Sequence, residues 1–291
     1  MALEKKSPCK VNLLLNILGK RADGFHELET VMHPAPLYDR LVFEKGSEGV
    51  QLTCSDSSLP VDSRNLVWRA AENFLRAAQI SDGVQIYLEK KIPVAAGLGG
   101  GSGNAATTLL GLNELFANPL SSAQMNEIAA ALGSDIPFFM QNKPALGIGR
   151  GEQVRSLDFF PALNGVYILL VHPGFGISTA WAYQELKKFP SALNGERGRA
   201  EKLIKLLQTT DFKTASGEFY NSLEAPALKK YPLLYLFQEF FREQGAVTLM
   251  SGSGSTTFAL IEGKFEATEV LQRFISKFGD KFWTALLPLV S

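Results

Sequence analysis

The sequence is poor in the residues that build disulfide frameworks and metal centres. It contains two cysteines, Cys9 and Cys54, and three histidines among 291 residues. Two cysteines without metal-ligand spacing are too few for a disulfide framework, which is typical of a protein in a reducing compartment. We therefore expect a cytoplasmic protein with no metal site built from its own side chains.

The chain also lacks a charge excess and a long apolar run. Lys plus Arg and Asp plus Glu each number 29, so the overall charge gives no indication of nucleic acid or an anionic membrane as a partner. No segment approaches the roughly 18 apolar residues of a membrane span. The stretch from Val11 to Leu18 superficially resembles a signal peptide, but Asn12 and Asn16 interrupt it and favour a strand.

The composition that is present is that of a globular protein with a sizeable core. Hydrophobic residues make up 46% of the chain and charged residues 20%, and the length suffices for two ordinary domains. The composition changes between Asp158 and Asn164, around Pro161. We predict a boundary there, with domains covering residues 1–160 and 161–291.

Local patterns predict the elements around the informative segments. Alternation from Lys10 to Ile17 predicts a strand with one buried face and with Lys10 and Asn12 side by side on the other. Ser121 and Gln124 predict a capping box for a helix that a left-handed Gly133 ends. Similar patterns predict strands at 84–88, 165–171, 247–250 and 256–261, and helices at 66–78, 105–116, 180–188, 196–208, 233–243 and 265–278.

A glycine-rich segment lies between a predicted strand and a predicted helix. Glycine lets backbone N–H groups approach phosphate oxygens, and a helix N-terminus favours the same anion. The segment is not a Walker A loop, since no Lys-Ser or Lys-Thr follows, and Asn104 replaces the last glycine of the dinucleotide pattern. A flexible linker would lack the flanking elements, so we interpret the segment as a phosphate cradle. Its residues are Pro93, Val94, Ala95, Ala96, Gly97, Leu98, Gly99, Gly100, Gly101, Ser102 and Gly103.

Several segments resemble the motifs of the GHMP kinases. The glycine-rich segment is similar to their Pro-x-x-x-Gly-Leu-Gly motif, and Met250–Ser255 is similar to their third motif. Pro8–Leu13, Arg21–His26 and Leu132–Phe139 resemble the subfamily that phosphorylates CDP-linked methylerythritol. Homoserine, mevalonate and galactose kinases share the glycine loops but lack the Arg-Ala-Asp-Gly-Phe-His block. Because the matches span nearly the whole chain in the family's order, the chain is identified as a member.

The resemblance implies a fold and a reaction. The fold is α+β, with two α/β layers in the GHMP arrangement: an ATP-binding N-terminal domain like ribosomal S5 domain 2, and a ferredoxin-like, substrate-side C-terminal domain. The reaction is ATP-dependent phosphorylation of the 2-hydroxyl of CDP-linked methylerythritol in the non-mevalonate route to isoprenoid precursors, with Mg²⁺ shielding the nucleotide. The partners are then small molecules, with no nucleic acid or membrane, and a monomer and a homodimer both stay open.

The resemblance also implies catalytic roles for Asp135 and Lys10. Asp135 would accept the proton of the attacking hydroxyl, and Lys10 would orient it and stabilise the charge that develops. Taken alone, Asp135 could be a helix N-cap before Pro137, and Lys10 an exposed strand lysine. Their joint occurrence with the glycine-rich segment favours catalysis over these roles, and also over a nucleotide sensor, which needs no proton acceptor.

Implied substrate contacts come from two segments. By resemblance, Phe25 and Tyr183 sandwich cytosine while His26 binds its edge, since an aromatic face stacks on a base and imidazole forms hydrogen bonds. Asn12 and Thr179 complete the predicted substrate site. The residues alone leave two alternatives open, in which Phe25 is a core aromatic and His26 a structural histidine.

Two positions leave the adenine contact and the site of the metal ion undetermined. Asn65 resembles the family's adenine-side residue, although a helix-capping role explains it equally well. Gly103 stands where relatives usually carry a second serine, so that only Ser102 offers a hydroxyl to phosphate or to Mg²⁺. The position of the metal ion therefore stays open.

Overall fold

A computed structural model describes residues 2–289 of the chain. Its strands are β1 (Leu3–Lys20), β2 (His26–Gly46), β3 (Val50–Cys54), β4 (Gly83–Glu89), β5 (Ala145–Gly149), β6 (Gln153–Ser156), β7 (Val166–His172), β8 (Tyr220–Asn221), β9 (Val247–Met250), β10 (Thr257–Glu262) and β11 (Trp283–Pro288). Its helices are α1 (Leu66–Ala77), α2 (Gly100–Leu115), α3 (Ser122–Leu132), α4 (Ile136–Phe139), α5 (Thr179–Leu186), α6 (Pro190–Leu193), α7 (Arg199–Thr209), α8 (Phe212–Ser216), α9 (Glu224–Lys230), α10 (Pro232–Glu243) and α11 (Lys264–Phe278), with a 3-10 turn at Pro161–Leu163. None of the helices within residues 2–289 is long and apolar enough to cross a membrane.

The chain packs into two compact units, and the long strands β1 and β2 contribute to both. Unit 1 contains the chain up to Cys9 together with Leu37–Pro93 and Gly99–Asn142. Unit 2 contains Lys10–Pro36, Val94–Leu98 and the chain from Lys143 onwards.

In unit 1, strands and helices share a core. β4 pairs with β3 in parallel and with the second half of β2 in antiparallel fashion. α1 packs on α2 and α3, and Phe43 and Phe74 are completely buried. The Asn65 side chain accepts a hydrogen bond from the Val67 N–H and caps α1, and the predicted Ser121–Gln124 capping box begins α3.

In unit 2, an antiparallel sheet has the strand order β11-β7-β10-β9. In chain order these are the fourth, first, third and second strands, with α10 before the second and α11 before the fourth. This is the βαββαβ arrangement of the predicted ferredoxin-like layer. α10 and α11 pack on the sheet through a core that includes Phe237, Phe241 and Phe274.

A second group of strands in unit 2 positions the candidate site. β5 pairs with the first half of β2, and β6 pairs with β5. The two-residue strand β8 pairs in parallel with β1, with Leu15 opposite Asn221. A second core, which includes Leu15, Ile177 and Met250, joins these strands to α5 and α9.

The predicted elements are present, with local differences in β1, α3 and α7 and at the start of α2, which is described with the site. β1 does not have one buried face, because every residue from Cys9 to Ile17 is buried and its polar side chains are hydrogen-bonded inside the protein. Gly133 ends α3 in an extended conformation with φ of 173°, not in the predicted left-handed one. α7 begins at Arg199, after the prediction of 196, because Gly198 at φ of 90° interrupts the helical path.

Candidate active site

The glycine-rich segment is a tight loop followed directly by a helix. Ala95, Gly97 and Gly99 have φ of 53°, 78° and 69°, so the backbone repeatedly enters the left-handed region. α2 begins at Gly100, five residues before the apolar spacing of the sequence suggested. Residues up to Gly103 therefore form its first turn. The N–H groups of Gly100, Gly101 and Ser102 have no carbonyl partner within the helix, whereas the Gly103 N–H donates to the Gly99 carbonyl at 2.8 Å. This arrangement can bind phosphate oxygens.

Two glycines in this turn of unit 1 differ in the space around them. A Cβ on Gly101 would have its nearest neighbour, Leu66 Cδ1, at 3.8 Å. A Cβ on Gly103 would lie 2.5 Å from the Pro8 carbonyl oxygen and 3.1 Å from Ser7 Oγ. Packing therefore excludes a side chain at Gly103, which accounts for the absence of a second serine there. Ser102, half-buried between them, carries the hydroxyl of this turn.

Lys10 in β1 contacts the part of the loop that lies in unit 2. Only 3% of Lys10 is exposed. Its Nζ donates to Asn12 Oδ1 at 2.6 Å and to the Gly97 carbonyl oxygen at 3.1 Å. The predicted side-by-side arrangement of Lys10 and Asn12 is present, and the alternative of a solvent-exposed strand lysine is wrong. Asn12 is oriented in turn, because its Nδ2 donates to Thr30 Oγ1 at 2.8 Å.

The turn between β9 and β10, residues 251–255, packs against the same loop. Ser251 Oγ donates to the Gly97 carbonyl oxygen at 3.0 Å, and the Thr256 N–H donates to the Ala96 carbonyl at 3.1 Å. A Cβ on Gly97 would lie 2.0 Å from the Ser251 carbonyl oxygen. Gly97 is therefore required by this close approach as well as by its positive φ.

Asp135 lies in unit 1, in the connection between α3 and α4. It is half-buried and directly precedes the first residue of α4. Its side chain makes no capping hydrogen bond to this helix, although it occupies the N-cap position. The geometry therefore does not support the alternative in which Asp135 serves as an N-cap.

Phe25 is presented by a tight turn. The Gly24 N–H donates to the Arg21 carbonyl, and the Phe25 N–H donates to Asp23 Oδ1, each at 3.1 Å. Phe25 is 53% exposed, and the Arg150 guanidinium lies 4.8 Å from its ring centroid. The core alternative for Phe25 is therefore wrong, and its ring is available for stacking.

His26 and Tyr183 form a ring pair within unit 2. Their centroids are 5.0 Å apart, with 35° between the ring planes. Burial, and secondarily the charge of Lys20, lowers the pKa of His26 below its ordinary value of 6.5. A neutral imidazole has one donor and one acceptor nitrogen, as recognition of a base edge requires.

Thr179 begins α5, the helix that also carries Tyr183. Its Oγ1 lies 2.8 Å from Ser253 Oγ, in the turn that packs on the glycine loop. Ser178 accepts a hydrogen bond from the Trp181 N–H and caps the helix. The predicted residues Thr179, Tyr183, His26, Asn12 and Lys10 all lie in unit 2, whereas Asp135 and Asn65 lie in unit 1.

Asn65 has both of its side-chain polar groups in use. Its Oδ1 accepts from the Val67 N–H at 3.0 Å, and its Nδ2 donates to the Pro60 carbonyl at 2.8 Å. Helix capping accounts for this residue fully, so the predicted adenine contact has no separate support from the geometry.

Sequence reasoning missed a buried acidic residue beside the loop. Asp39 is completely buried in unit 1 and forms an ion pair with Lys90. It also accepts hydrogen bonds from the Lys91 and Ile92 N–H groups at 2.7 and 2.9 Å and from Asn104 Nδ2 at 2.9 Å. Asp39 thereby fixes the backbone directly before Pro93. These contacts join positions far apart in the chain, so no spacing in the sequence indicated them.

Comparisons with known proteins show the family of this chain. Residues 65–143 match the family described as GHMP kinases N terminal domain, and residues 196–281 match GHMP kinases C terminal. The 4-diphosphocytidyl-2-C-methyl-D-erythritol kinase of Pelotomaculum thermopropionicum is 39% identical over 276 residues, 94% of either chain. The kinase of the same name from Geobacter metallireducens is 37% identical over 99% of either chain. A crystal structure of 4-(cytidine 5'-diphospho)-2C-methyl-D-erythritol kinase superimposes with a TM-score of 0.80 at 34% identity, covering 98% of this chain and 99% of the other.

Proposed function

The chain belongs to the GHMP kinases and, within them, to the family of 4-diphosphocytidyl-2-C-methyl-D-erythritol kinases, and we propose that it phosphorylates the 2-hydroxyl of this CDP-linked alcohol. ATP is the phosphoryl donor, and the products are the 2-phosphate and ADP. The observation that carries the proposal is the contact of the buried Lys10 ammonium with Gly97 of the glycine-rich loop. The reaction is a step in the non-mevalonate route to isoprenoid precursors.

The glycine-rich loop and the first turn of α2 bind the ATP phosphates in this proposal. The N–H groups of Gly100, Gly101 and Ser102 have no helical partner, and the positive end of the helix dipole adds to their attraction for anions. The space beside Gly101 lets phosphate oxygens approach the backbone closely. Asp39 fixes the start of the loop through the Lys91 and Ile92 N–H groups.

In this proposal Asp135 and Lys10 have different roles in phosphoryl transfer. The Asp135 carboxylate takes the proton of the 2-hydroxyl while the hydroxyl oxygen forms a bond to the γ-phosphorus. The bond from the γ-phosphorus to the bridging oxygen breaks, and its electron pair leaves with ADP. The Lys10 ammonium stabilises the negative charge on the transferred group. Asn12 and Gly97 hold the ammonium in one place, so little reorganisation is needed during the reaction.

The cytidine part of the substrate binds to Phe25, His26 and Tyr183. Stacking on the two aromatic rings and hydrogen bonds to His26 supply binding energy remote from the reacting hydroxyl. Such energy can position the hydroxyl for transfer, so it contributes to turnover as well as to affinity. Asn12 and Thr179 contact the rest of the substrate.

The donor set fits a magnesium ion that is bound mainly through the nucleotide. Within residues 2–289, no group of three or more His, Cys, Asp or Glu residues could hold a metal ion. Mg²⁺ usually keeps several waters and uses few protein ligands beside substrate phosphates. Ser102 would offer its hydroxyl, and the ion would supply charge neutralisation at the phosphates.

The proposal also includes the division into an ATP-side domain, residues 1–160, and a substrate-side domain, residues 161–291.

An ADP-release assay of the purified protein tests the proposed function. The panel contains 4-diphosphocytidyl-2-C-methyl-D-erythritol, homoserine and mevalonate, each with ATP and Mg²⁺. The proposal expects turnover of the CDP-linked alcohol alone. Turnover of homoserine or mevalonate instead would assign the chain to another activity of the same fold, and ATP binding without turnover of any alcohol would favour a nucleotide sensor.

A further inference from the structure

The short strand β8 connects β1 to the turn between β9 and β10. Its residue Asn221 lies opposite Leu15 of β1, in the strand that carries Lys10 and Asn12. The next residue reinforces this pairing, since the Ser222 N–H donates to the Leu15 carbonyl at 2.8 Å and Ser222 Oγ accepts from the Ile17 N–H at 3.0 Å. The pairing and the two Ser222 contacts therefore fix Asn221 to β1.

The side chain of Asn221 bridges the last backbone carbonyl of β9 and a carbonyl of the turn. Its Nδ2 donates to the Met250 carbonyl at 2.7 Å and to the Gly252 carbonyl at 2.8 Å. Its Oδ1 accepts from the Leu223 N–H at 2.9 Å. Asn221 is only 2% exposed. The reversed amide would place its oxygen against two carbonyl oxygens, so a single orientation satisfies the site.

Gly252 brings this bridge next to Lys10. Its φ is 55°, and a Cβ there would lie 3.0 Å from the Gly97 carbonyl oxygen and 3.2 Å from Lys10 Nζ. The same Gly97 oxygen accepts hydrogen bonds from Lys10 and from Ser251. A shift of the turn therefore changes the surroundings of the Lys10 ammonium directly.

A second side chain holds the start of the turn through the N–H of Met250. Glu224, the first residue of α9, accepts from the Met250 N–H at 2.6 Å and from Gln238 Nε2 at 2.7 Å. Met250 thus has its carbonyl held by Asn221 and its N–H held by Glu224, three residues further along the chain. The buried side chain of Asn221 and the half-buried Glu224, both from one segment, place the backbone at the start of this turn.

We propose that Asn221 is a positioning residue for phosphoryl transfer, which holds the turn of residues 251–255 against Gly97 and Lys10. The inference rests on the proposed function, because it acts through Lys10. Loss of the amide is expected to lower kcat while the KM values for ATP and the CDP-linked alcohol change little. Small misplacements of catalytic groups cost up to about 10²-fold in rate, so we expect Asn221→Ala to lower kcat about tenfold or more.

Asn113 provides a matched control. It is also a buried asparagine whose side chain holds a backbone loop, donating to the Leu120 carbonyl at 3.1 Å and accepting from the Leu120 N–H at 3.0 Å. It lies in α2 of unit 1, whereas Lys10 and the turn belong to unit 2. Asn113→Ala should therefore lower stability about as much as Asn221→Ala while leaving kcat of the folded protein unchanged.

The experiment compares steady-state kinetics of the full-length wild type, Asn221→Ala, Asn113→Ala, Lys10→Ala and the double variant, at a temperature where all are folded. The inference expects the Asn221→Ala effect on kcat to disappear in the Lys10→Ala background. As a second readout, Lys10 acetylation by acetic anhydride, measured by mass spectrometry, should be faster in Asn221→Ala but not in Asn113→Ala. If Asn221→Ala does not fold, Asn221→Ser, which keeps one short donor, replaces it.

The outcomes separate this inference from the proposed function. A wild type without turnover of the CDP-linked alcohol contradicts the proposed function. A wild type that turns over, with Asn221→Ala matching Asn113→Ala in both kcat and Lys10 acetylation, contradicts the inference alone. Equal effects of Asn221→Ala with and without Lys10 would also overturn it, because the residue would then act independently of Lys10.

Discussion

The Lys10 ammonium nitrogen lies 3.1 Å from the Gly97 carbonyl oxygen. A cation on β1 thus reaches the centre of the glycine-rich loop, and the Ser251 hydroxyl binds the same oxygen. In unit 2, three segments that are distant in the sequence therefore meet at one carbonyl group. Each of these segments carries a motif that resembles the GHMP kinases, and the contact holds the three motifs together at the Gly97 carbonyl.

Replacement of Asp135 tests the proposed base. Asp135→Asn should lower kcat by about 10²-fold or more, the usual scale for a general base. The free energy of unfolding should change little, because asparagine preserves the size and shape of this half-buried side chain. The measurements are steady-state kinetics and urea unfolding.

Asp211 supplies the matched control for this substitution. It is an N-cap aspartate whose side chain does accept from a helix N–H, that of Thr214, at 2.7 Å. Asp211→Asn should leave kcat at the wild-type value. A kcat for Asp135→Asn within a few-fold of this control would remove Asp135 from the mechanism.

Substitution at Gly101 tests whether the first turn of α2 binds the ATP phosphates. Gly101→Val adds a branched side chain where the protein has room, so ATP affinity should fall while the fold persists. Gly99 is a poorer site for this test, because its φ of 69° strains any side chain. Affinity is measured by calorimetric titration of ATP, and unchanged affinity in a folded variant would contradict phosphate binding here.

Gly103→Ser is expected to affect stability, whereas Gly101→Val is expected to affect ATP affinity. Its Cβ would meet the Pro8 carbonyl oxygen at 2.5 Å, so this variant should lose about 1–3 kcal/mol of stability, as overpacked sites do. The pair therefore separates an effect on the ligand from an effect on packing.

Truncation of Phe25 and His26 tests the cytidine contacts. Phe25→Ala and His26→Ala should each cost about 1–3 kcal/mol in kcat/KM for the CDP-linked substrate, the usual worth of base stacking and base-edge hydrogen bonds. The affinity for ATP should be unaffected. Phe265→Ala, at an aromatic residue that is 70% exposed, controls for loss of surface area. If Phe25→Ala behaves like Phe265→Ala, Phe25 does not stack on the base.

The buried carboxyl of Glu224 predicts a pH dependence of stability. Burial raises its pKa from 4.5 to about 7 in the folded protein. Between these values the folded state binds more protons than the unfolded chain, so the free energy of unfolding falls as the pH rises through this window. The loss reaches about 3 kcal/mol for a shift of this size. Urea unfolding at pH 5 and pH 8 should show Glu224→Gln gaining stability relative to wild type at the higher pH; a constant difference would contradict the assignment.

The sequence predicted the features that depend on neighbouring residues. The Asn65 cap, the capping box at Ser121 and the strand-loop-helix order around the glycines follow from local hydrogen bonding and backbone freedom. The start of α2 was placed late, because apolar spacing begins at Ala105 whereas the helical hydrogen bonds begin in the glycines.

Contacts between distant segments could not be predicted in this way. The burial of Lys10 depends on Asn12 beside it and on Gly97. Asn221 reaches the turn only because β8 pairs with β1. A strand of two residues is too short to be recognised from a sequence pattern. The site residues in unit 2 were found through resemblance to a family, whereas the residues that hold them were found only in the structure.

The most direct test of the account compares kcat/KM for 4-diphosphocytidyl-2-C-methyl-D-erythritol and for methylerythritol 4-phosphate, which lacks the cytidyl group, in the wild-type enzyme. If Phe25, His26 and Tyr183 bind the base, their binding energy positions the hydroxyl for transfer. The account then predicts that the truncated alcohol is phosphorylated with a kcat/KM at least about 10³-fold lower, with kcat itself reduced. Equal efficiency on the two alcohols would contradict the central claim that the cytidine contacts determine this kinase's substrate.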